Sequence, residues 1–302
     1  MHFLLTIHTI ISHRIRCRWR SHGILLATAI VFNVGASQLV LAAPIATNTA
    51  LPLSNHEFIL REQLALIQAS DRLAGTRREL SQYVSRSVLG YGVTPKWAVF
   101  GVLPVVKVER DFGVNRSTET GMGDAELFTR YEIYQADKPG RTFRISPYFG
   151  VRLPTGRNGK TGDGSTDIFG GLIATVATTQ WVLDSQIRYD FNREADGFER
   201  GDVARLESSF QYRLSPKSIT LDTKGFLFGV IELGAYHFDN NRTMGAIDRN
   251  SGGFQLSVTP GVQYSTQRWI VDLGVRIPVI NNLKGDALNQ DYELLTSLRI
   301  NF

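Results

Sequence analysis

Three features of the 302-residue sequence predict an all-β protein. They are an export signal at the amino end, a series of segments in which apolar and polar residues alternate, and a regular alternation of short and long connections between those segments. Alternation with a period of two is typical of a strand that has one apolar face. The predicted fold is a transmembrane antiparallel up-and-down β-barrel of about twelve strands that follows a cleaved signal peptide.

Residues 1–42 have the order of segments that is typical of a secretory signal peptide. Four arginines and no acidic residue precede an apolar run from Ile24 to Val34, and small residues follow up to Ala42 and Ala43. We expect cleavage after Ala42, because cleavage after Ala43 would place Pro44 next to the scissile bond. The alternative is an anchor helix over 24–43, which has about the 20 residues that a membrane span needs but contains several polar residues.

Removal of residues 1–42 changes the charge and removes the only cysteine, Cys17. Basic residues fall from 33 to 29 because four arginines leave, and 28 acidic residues remain, so the mature net charge is 29 − 28 = +1. This charge does not predict nucleic-acid binding, and without a thiol there is no disulfide and no thiolate. The mature chain fits one large all-β domain. Residues 43–56 are predicted to form a short periplasmic amino-terminal segment, and residues 57–302 the barrel.

The clearest strand is WVLDSQIRYDF, from Trp181 to Phe191, in which Asp184 and Arg188 lie on the polar face. An even number of such strands is typical of single-chain bacterial barrels and places both termini on one side. Most of the segments reach the roughly 9–11 residues that a tilted transmembrane strand requires. The predicted strands are 57–69, 78–91, 97–110, 123–133, 142–154, 168–178, 181–191, 203–214, 226–238, 253–264, 269–279 and 291–302.

Three of these strands depart from simple alternation. Strand 57–69 places Glu62 among outward-facing leucines, and strands 97–110 and 168–178 are apolar on both faces. Apolar residues on both faces predict a packed neighbour, a subunit contact or a lumen that is lined by apolar groups.

The connections between the strands alternate in length. Outer-membrane barrels have short periplasmic turns and longer extracellular loops, so we expect the long connections to lie outside the cell. One connection, Ser215–Gly225, is an exception because it is long where a short turn is expected. The long polar and glycine-rich connections are Asp111–Met122, Thr155–Asp167, Asn192–Asp202, Asp239–Gly252 and Ile280–Gln290.

The alternation divides the side chains into a lipid-facing set and a lumen-facing set. Aromatic residues on the apolar face near the short turns predict an interfacial girdle. The girdle residues are Tyr91, Trp97, Tyr131, Phe143, Trp181, Tyr212, Tyr264 and Trp269. Charged residues on the opposite face predict the lining of a wet lumen. The candidate lumen residues are Asp124, Glu126, Arg130, Arg144, Arg152, Asp184, Arg188, Arg205, Glu207, Asp272, Arg276 and Arg299.

A soluble periplasmic barrel with its apolar face inside would have the same alternation. The girdle, the difference in loop length and the carboxyl-terminal Phe302 favour the membrane barrel. A terminal aromatic residue after an apolar strand face is also the form of the outer-membrane assembly signal. We therefore expect outer-membrane lipid to surround the barrel, and the barrel assembly machinery to recognise its last strand.

Five segments resemble the MetA-pathway of phenol degradation family, a group of outer-membrane transporters. The resemblance extends from about Arg78 to Phe302. It implies a barrel in the bacterial outer membrane that passes small molecules, often aromatic or hydrophobic, and it implies no agreed substrate-binding residues. The segments are GYGVTPKWAVFGVLPVV (Gly90–Val106), GMGDAELFTRYEIY (Gly121–Tyr134), PYFGVRLPTG (Pro147–Gly156), GDGSTDIFGGL (Gly162–Leu172) and LSVTPGVQYSTQRWIVDLGVRIPV (Leu256–Val279).

Motifs for catalysis or cofactor binding are incomplete. In PTGRNGKT, Pro154 replaces the first glycine of a phosphate-binding loop and no helical pattern follows. In GDGSTD, an EF-type calcium loop would need a glutamate where Ala174 stands. An outer-membrane lipase would need a histidine beside a serine, but neither His56 nor His237 lies in such a motif, and two separated histidines do not form a zinc site. We predict no catalytic, metal or cofactor-binding residue, and no enzymatic activity.

Two classes of function remain. The first is a channel or transporter for small solutes, and the second is a closed or plugged barrel with a structural or adhesive role. Barrels of intermediate width permit both, because narrow barrels fill with side chains and wide ones leave open water. The family resemblance favours transport of a small-molecule solute, and the sequence leaves open both the oligomeric state and whether residues 43–56 plug the pore.

We expect the mature protein to begin at Ala43, because small residues precede the cleavage site and Pro44 blocks the next one. Intact-mass measurement on protein extracted from membranes checks this prediction. A mass that includes residues 24–42 would instead support the anchor helix.

Overall fold

The alternating segments become strands, because extended backbone places successive side chains on opposite faces. The structure is a computed structural model that describes residues 42–73, 75–113, 115–220, 222–285 and 287–302; the predicted signal peptide, apart from Ala42, lies outside these ranges. Within them, no helix is long and apolar enough to cross a membrane. The strands are β1 (Phe58–Leu73), β2 (Thr76–Thr94), β3 (Trp97–Phe112), β4 (Asn115–Met122), β5 (Ala125–Tyr131), β6 (Tyr134–Lys138), β7 (Arg141–Leu153), β8 (Asp167–Thr178), β9 (Trp181–Phe191), β10 (Glu194–Ala195), β11 (Phe198–Glu199), β12 (Val203–Ser215), β13 (Phe226–Phe238), β14 (Arg242–Thr243), β15 (Ala246–Ile247), β16 (Gly253–Ser265), β17 (Trp269–Leu283) and β18 (Gln290–Asn301).

Twelve of these strands form one closed antiparallel barrel in the order β1, β2, β3, β5, β7, β8, β9, β12, β13, β16, β17 and β18. The last strand returns to the first, with Leu60 opposite Ile300 in the register. Two backbone hydrogen bonds complete the seam, from Phe58 N to Phe302 O at 2.8 Å and from Phe302 N to Phe58 O at 2.9 Å. The predicted fold class, an up-and-down barrel of twelve strands, is confirmed.

The two faces of the barrel differ in character. On β9, Leu183 and Ile187 point outward and are 37% and 54% exposed, whereas Asp184 and Gln186 point inward and are 0% and 4% exposed. An apolar outer face and a polar interior are what a membrane barrel requires. The aromatic residues proposed for the girdle lie on the outer face at the ends joined by the short turns, here named the short-turn end. The opposite end is named the long-loop end.

The first predicted long loop is largely a β-hairpin. Residues 111–122 were expected to be a loop, but β3 continues to Phe112, and β4 pairs with it from Asn115 onward. An ion pair of 2.8 Å joins Arg116 to Asp111 across this hairpin. The sequence did not reveal β4 because its residues, NRSTETGM, are almost all polar, and alternation of apolar and polar residues marks only strands with one buried or lipid-facing side.

Two other predicted loops contain short strands. β10 and β11 lie within 192–202, β14 and β15 lie within 239–252, and the four pair in one small sheet. Asp196 and Gly197 have φ of 52° and 79°, and Met244 and Gly245 have φ of 50° and 76°. Positive φ at both central residues defines the type I′ hairpin turn, for which Asp-Gly is a preferred sequence. The small sheet therefore joins two loops at the long-loop end.

Deletion of Phe302 should impair barrel closure far more than replacement of an exposed loop residue such as Asn250 by Ala. Phe302 supplies both backbone hydrogen bonds at the end of the seam. An unpaired strand edge in lipid leaves backbone groups without partners, which is costly. Heat-modifiable gel mobility reports the closed fraction of each variant. Equal closed fractions would show that the seam does not depend on the terminal residue.

Candidate functional site

The barrel interior contains a cavity of about 760 Å³. Nine of the twelve charged residues proposed for the lumen line it. They are Asp124, Glu126, Arg130, Arg152, Arg188, Arg205, Glu207, Arg276 and Arg299. The other three lie elsewhere on the inner face. Arg144 pairs with Glu132 at 2.7 Å. Asp184 is fully buried and accepts a hydrogen bond from the Thr175 hydroxyl, and Asp272 accepts one of 2.6 Å from Ser297.

Most of the arginines on one side of the cavity are held by Asp190. Arg188, Arg205 and Arg152 approach this carboxylate at 2.6, 2.8 and 3.3 Å, and Arg152 also contacts Glu126 at 3.0 Å. Asp190 is 1% exposed, so it could not remain charged in the wall without compensating cations. The four strands β5, β7, β9 and β12 are thus connected by one ionic network. This network leaves these arginine side chains little freedom to move into the lumen.

Residues 42–53, named here the lumen segment, lie inside the barrel. The sequence assigned 43–56 to a periplasmic segment and left open whether it plugs the pore. In the structure, the Glu232 carboxylate on β13 accepts hydrogen bonds from Ile45 N at 2.8 Å and Ala46 N at 3.0 Å. Gln263 on β16 accepts one from Ala43 N at 3.0 Å.

Side chains from the other half of the barrel hold the same segment. Arg130 on β5 donates to the carbonyl oxygens of Thr49 and Leu51, the second at 2.8 Å. Thr175 on β8 accepts from Ala50 N at 2.7 Å. Since the contacts come from β5, β8, β13 and β16, the lumen segment crosses the width of the interior.

Ile45 anchors the lumen segment by shape. Its side chain is 0% exposed. A Cβ atom on Gly261 would lie 2.4 Å from Ile45 Cδ1, and one on Gly274 would lie 3.1 Å from it. Two adjacent strands therefore leave a recess that only glycine provides, because any larger residue at Gly261 would displace Ile45 or the backbone.

The loop PTGRNGKT binds a carboxylate of the protein itself. Asp124 accepts hydrogen bonds from Gly156 N at 2.9 Å and Asp163 N at 2.7 Å. One amide of the motif, that of Gly156, is thereby occupied by an internal anion, and the amides of Gly159, Lys160 and Thr161 bond to carbonyl oxygens within the loop. Nearby, outside the membrane-spanning strands, a hydrogen bond from Lys160 lowers the pKa of Glu119. This loop is fixed over the long-loop end of the cavity.

Several residues of the site were missing from the sequence-based set. Glu232, Arg61 and Arg86 all face inward, and the last two line the cavity. Their strands carry mostly apolar inner faces, so a single charge there did not stand out. The alternation of faces along the strand could have identified these residues. In FLFGVIELGAYHF, Glu232 lies two residues after Val230 and four after Phe228, so all three share the inward face. Within the described ranges, no cluster of three or more His, Cys, Asp or Glu side chains is arranged to hold a metal ion.

Comparisons with known proteins agree with this architecture. A family model described as Putative MetA-pathway of phenol degradation matches residues 77–289, more than half of the chain. Among solved structures, the COG4313 outer membrane channel from Pseudomonas putida F1 is 13% identical, with a TM-score of 0.65, and the match covers 87% of this chain and 100% of that one. This similarity shows a shared barrel fold.

Two other solved barrels match with lower scores. The translocator domain of the autotransporter NalP from Neisseria meningitidis is 11% identical, with a TM-score of 0.43 and coverage of 83% of this chain and 89% of that one. The CymD monoaromatic hydrocarbon channel is 10% identical, with a TM-score of 0.39 and the same two coverages. A search of curated proteins gives no significant match.

Loss of the charged contacts should release the lumen segment. We expect a cysteine placed at Thr47, which is 4% exposed, to react slowly with a water-soluble maleimide. Adding Glu232→Gln and Arg130→Gln should raise the labelling rate about tenfold or more, because each side chain makes two charge-assisted hydrogen bonds to the segment.

The matched control is Glu199→Gln with Arg242→Gln, which changes the same charges at an exposed pair 3.6 Å apart in the loops. Labelling in this control should equal that of the single-cysteine protein. A fast reaction before either pair of substitutions would contradict the buried position of the segment.

Proposed function

We propose that this chain, which belongs to the MetA-pathway of phenol degradation family, is a channel that lets small aromatic or hydrophobic solutes cross the bacterial outer membrane. The chain is an outer-membrane β-barrel, and its outer face contacts lipid. The observation that carries the proposal is the lined cavity inside the closed barrel. Its volume of about 760 Å³ lies within the roughly 300–1,000 Å³ of pockets that hold small organic molecules.

An aromatic cluster on one side of the cavity supports the choice of solute. The rings of Phe100 and Phe128 stack at 4.6 Å between centroids, and those of Tyr148 and Phe169 lie 6.3 and 6.2 Å from Phe128. All four side chains line the cavity. Aromatic rings favour offset-stacked or edge-to-face contact with further rings. An aromatic solute could therefore stack on this cluster, whereas a sugar has no aromatic ring to stack.

The second candidate is a closed barrel with a structural or adhesive role. One observation favours it, namely that the lumen segment crosses the interior and is hydrogen-bonded by Glu232 and Arg130. Under the transport proposal, this segment narrows the path or moves as solutes pass. Under the alternative, it remains in place and the barrel conducts nothing. The two proposals therefore differ in a quantity that can be measured on the isolated barrel.

We also propose that the barrel has no enzymatic role. A lipase would require a histidine that activates a serine. His56 contacts the Tyr91 hydroxyl at 2.7 Å, and His237 lies 3.4 Å from Asp239. These contacts fit residues at the two rims of the barrel. Recognition of β18 by the assembly machinery remains part of the proposal, and it agrees with the position of this strand at the closing seam.

Neutralising Arg188 and Arg205 together, each to Gln, should shift ion selectivity toward cations. Both arginines compensate Asp190 on the cavity wall, so their loss leaves the lumen more negative. Replacing Trp269 by Ala should alter stability or membrane placement and leave selectivity unchanged, because this side chain is on the outer face and 40% exposed.

The measurement is the reversal potential in a planar bilayer, together with liposome swelling on a phenolic solute and on a sugar. We expect conductance and faster swelling with the phenolic solute. No conductance and no swelling with any solute would support the closed structural barrel instead. A change of selectivity with Trp269→Ala alone would mean that the two faces are assigned the wrong way round.

A further inference from the structure

The inner face of β2 and β3 differs from the rest of the lumen. It is aliphatic except for a few polar residues, and Arg86 is at its centre, directly opposite Pro104 in the strand register. The aliphatic residues around Arg86 line the same cavity and are named here the aliphatic wall. They are Val84, Val88, Val102, Pro104 and Val106.

Arg86 has few partners within the protein. Its guanidinium donates one hydrogen bond of 3.2 Å to Gln63 Oε1. The amide nitrogen of Gln63 donates to Ile45 O at 2.9 Å, so only the oxygen of this side chain faces Arg86. In the part of the chain that the structure describes, no carboxylate forms an ion pair with Arg86, whereas Arg188 and Arg276 each have one within 2.6 Å.

An arginine in such surroundings is suited to bind an anion. A guanidinium carries five N–H donors in a planar fork that matches a carboxylate with two parallel hydrogen bonds. One donor of Arg86 is engaged by Gln63. A charge beside apolar groups is costly unless it is paired, and a carboxylate ligand would supply the pairing that the protein does not.

The lining as a whole also favours anions. Among the described residues, eleven basic and five acidic side chains line the cavity, and the buried carboxylates of Asp190, Asp167 and Asp272 behind the lining offset part of this excess. A cleft with an excess of one sign of charge raises the local concentration of ligands of the opposite sign. The ionic network around Asp190 occupies three of these arginines. Arg86 lies outside that network, among apolar side chains, and within the described ranges its guanidinium has no carboxylate in ion-pair contact.

We propose that Arg86 and the aliphatic wall form a binding site for small aromatic carboxylates inside the lumen. The carboxylate binds the guanidinium, and the ring packs on the valines and Pro104. The site rests on the proposed function, since solutes must enter the barrel to reach it. A carboxylate without a ring would lack the contact with the wall, and a neutral aromatic molecule would lack the ion pair with the guanidinium. Phe100 is four residues from Pro104 on the same face of β3, about 13 Å along the strand, and continues the apolar surface.

The test uses the mature protein in detergent, with calorimetric titration of benzoate, benzyl alcohol and acetate. The unmodified protein should bind benzoate more tightly than the other two ligands. Arg86→Gln should weaken benzoate binding about tenfold or more and benzyl alcohol binding less than twofold, because the charged hydrogen bonds are lost while the glutamine amide still donates to a hydroxyl. Arg86→Lys should give an intermediate affinity, since a point charge replaces the fork.

The matched control is Lys107→Gln, which removes the same charge from the outer surface of β3, where Lys107 pairs with Glu109 at 2.6 Å. Its benzoate affinity should equal that of the unmodified protein. Heat-modifiable mobility confirms that each variant is closed. Equal binding of benzoate and benzyl alcohol by the unmodified protein would overturn the proposal without any variant, as would full benzoate affinity in closed Arg86→Gln.

Conductance and swelling on the same preparations separate this proposal from the transport proposal. A barrel that conducts but binds benzoate independently of Arg86 retains the channel function and loses the site. A barrel that binds benzoate through Arg86 yet conducts nothing retains the site as a ligand pocket of a closed barrel.

Discussion

Pairing of every backbone amide and carbonyl along the lipid-facing wall is the constraint on which the rest of this structure depends. Hydrocarbon offers no hydrogen-bond partner, so a sheet that crosses it must close on itself. Closure occurs where β18 meets β1, at the carboxyl end of the chain. It also orients the side chains: one face of each strand must be apolar for lipid, and the other is free to carry charge.

The same pairing governs how the interior is filled. Because the backbone groups of the strands are used within the ladder, a chain segment inside the barrel can be held only by side chains. The lumen segment is held in this way, by Glu232, Gln263, Arg130 and Thr175. These contacts give partners to the amides of Ala43, Ile45, Ala46 and Ala50 and to the carbonyls of Thr49 and Leu51, as buried backbone requires. Charged inner residues therefore serve to fix the segment as well as to line a path.

The strands with apolar residues on both faces have an explanation in this arrangement. On β8, Phe169 and Ile173 face inward and pack with Ala50 of the lumen segment. On β3, Ala98 and Phe100 pack with Leu53, and the residues beyond them form the aliphatic wall. A packed neighbour and an apolar lumen were both among the interpretations of these strands. The outward Glu62 on β1 accepts hydrogen bonds from Ser85 and Ser87 of β2, which partly compensate a carboxylate on the lipid side.

The sequence by itself determined the twelve barrel strands and the alternation of their faces, because a period of two is a local property that each of these segments carries alone. WVLDSQIRYDF was predicted as 181–191 and forms β9 over the same residues. Only the tertiary structure decided which residues far apart in the sequence contact each other. The contacts of Ala43 with Gln263 and of Ile45 with Glu232 join positions 220 and 187 residues apart, and no local pattern encodes them. The tertiary structure also decided which arginines Asp190 neutralises and that Arg86 contacts the neutral side chain of Gln63 instead of a carboxylate. Such pairing in the lumen depends on which strands closure brings together.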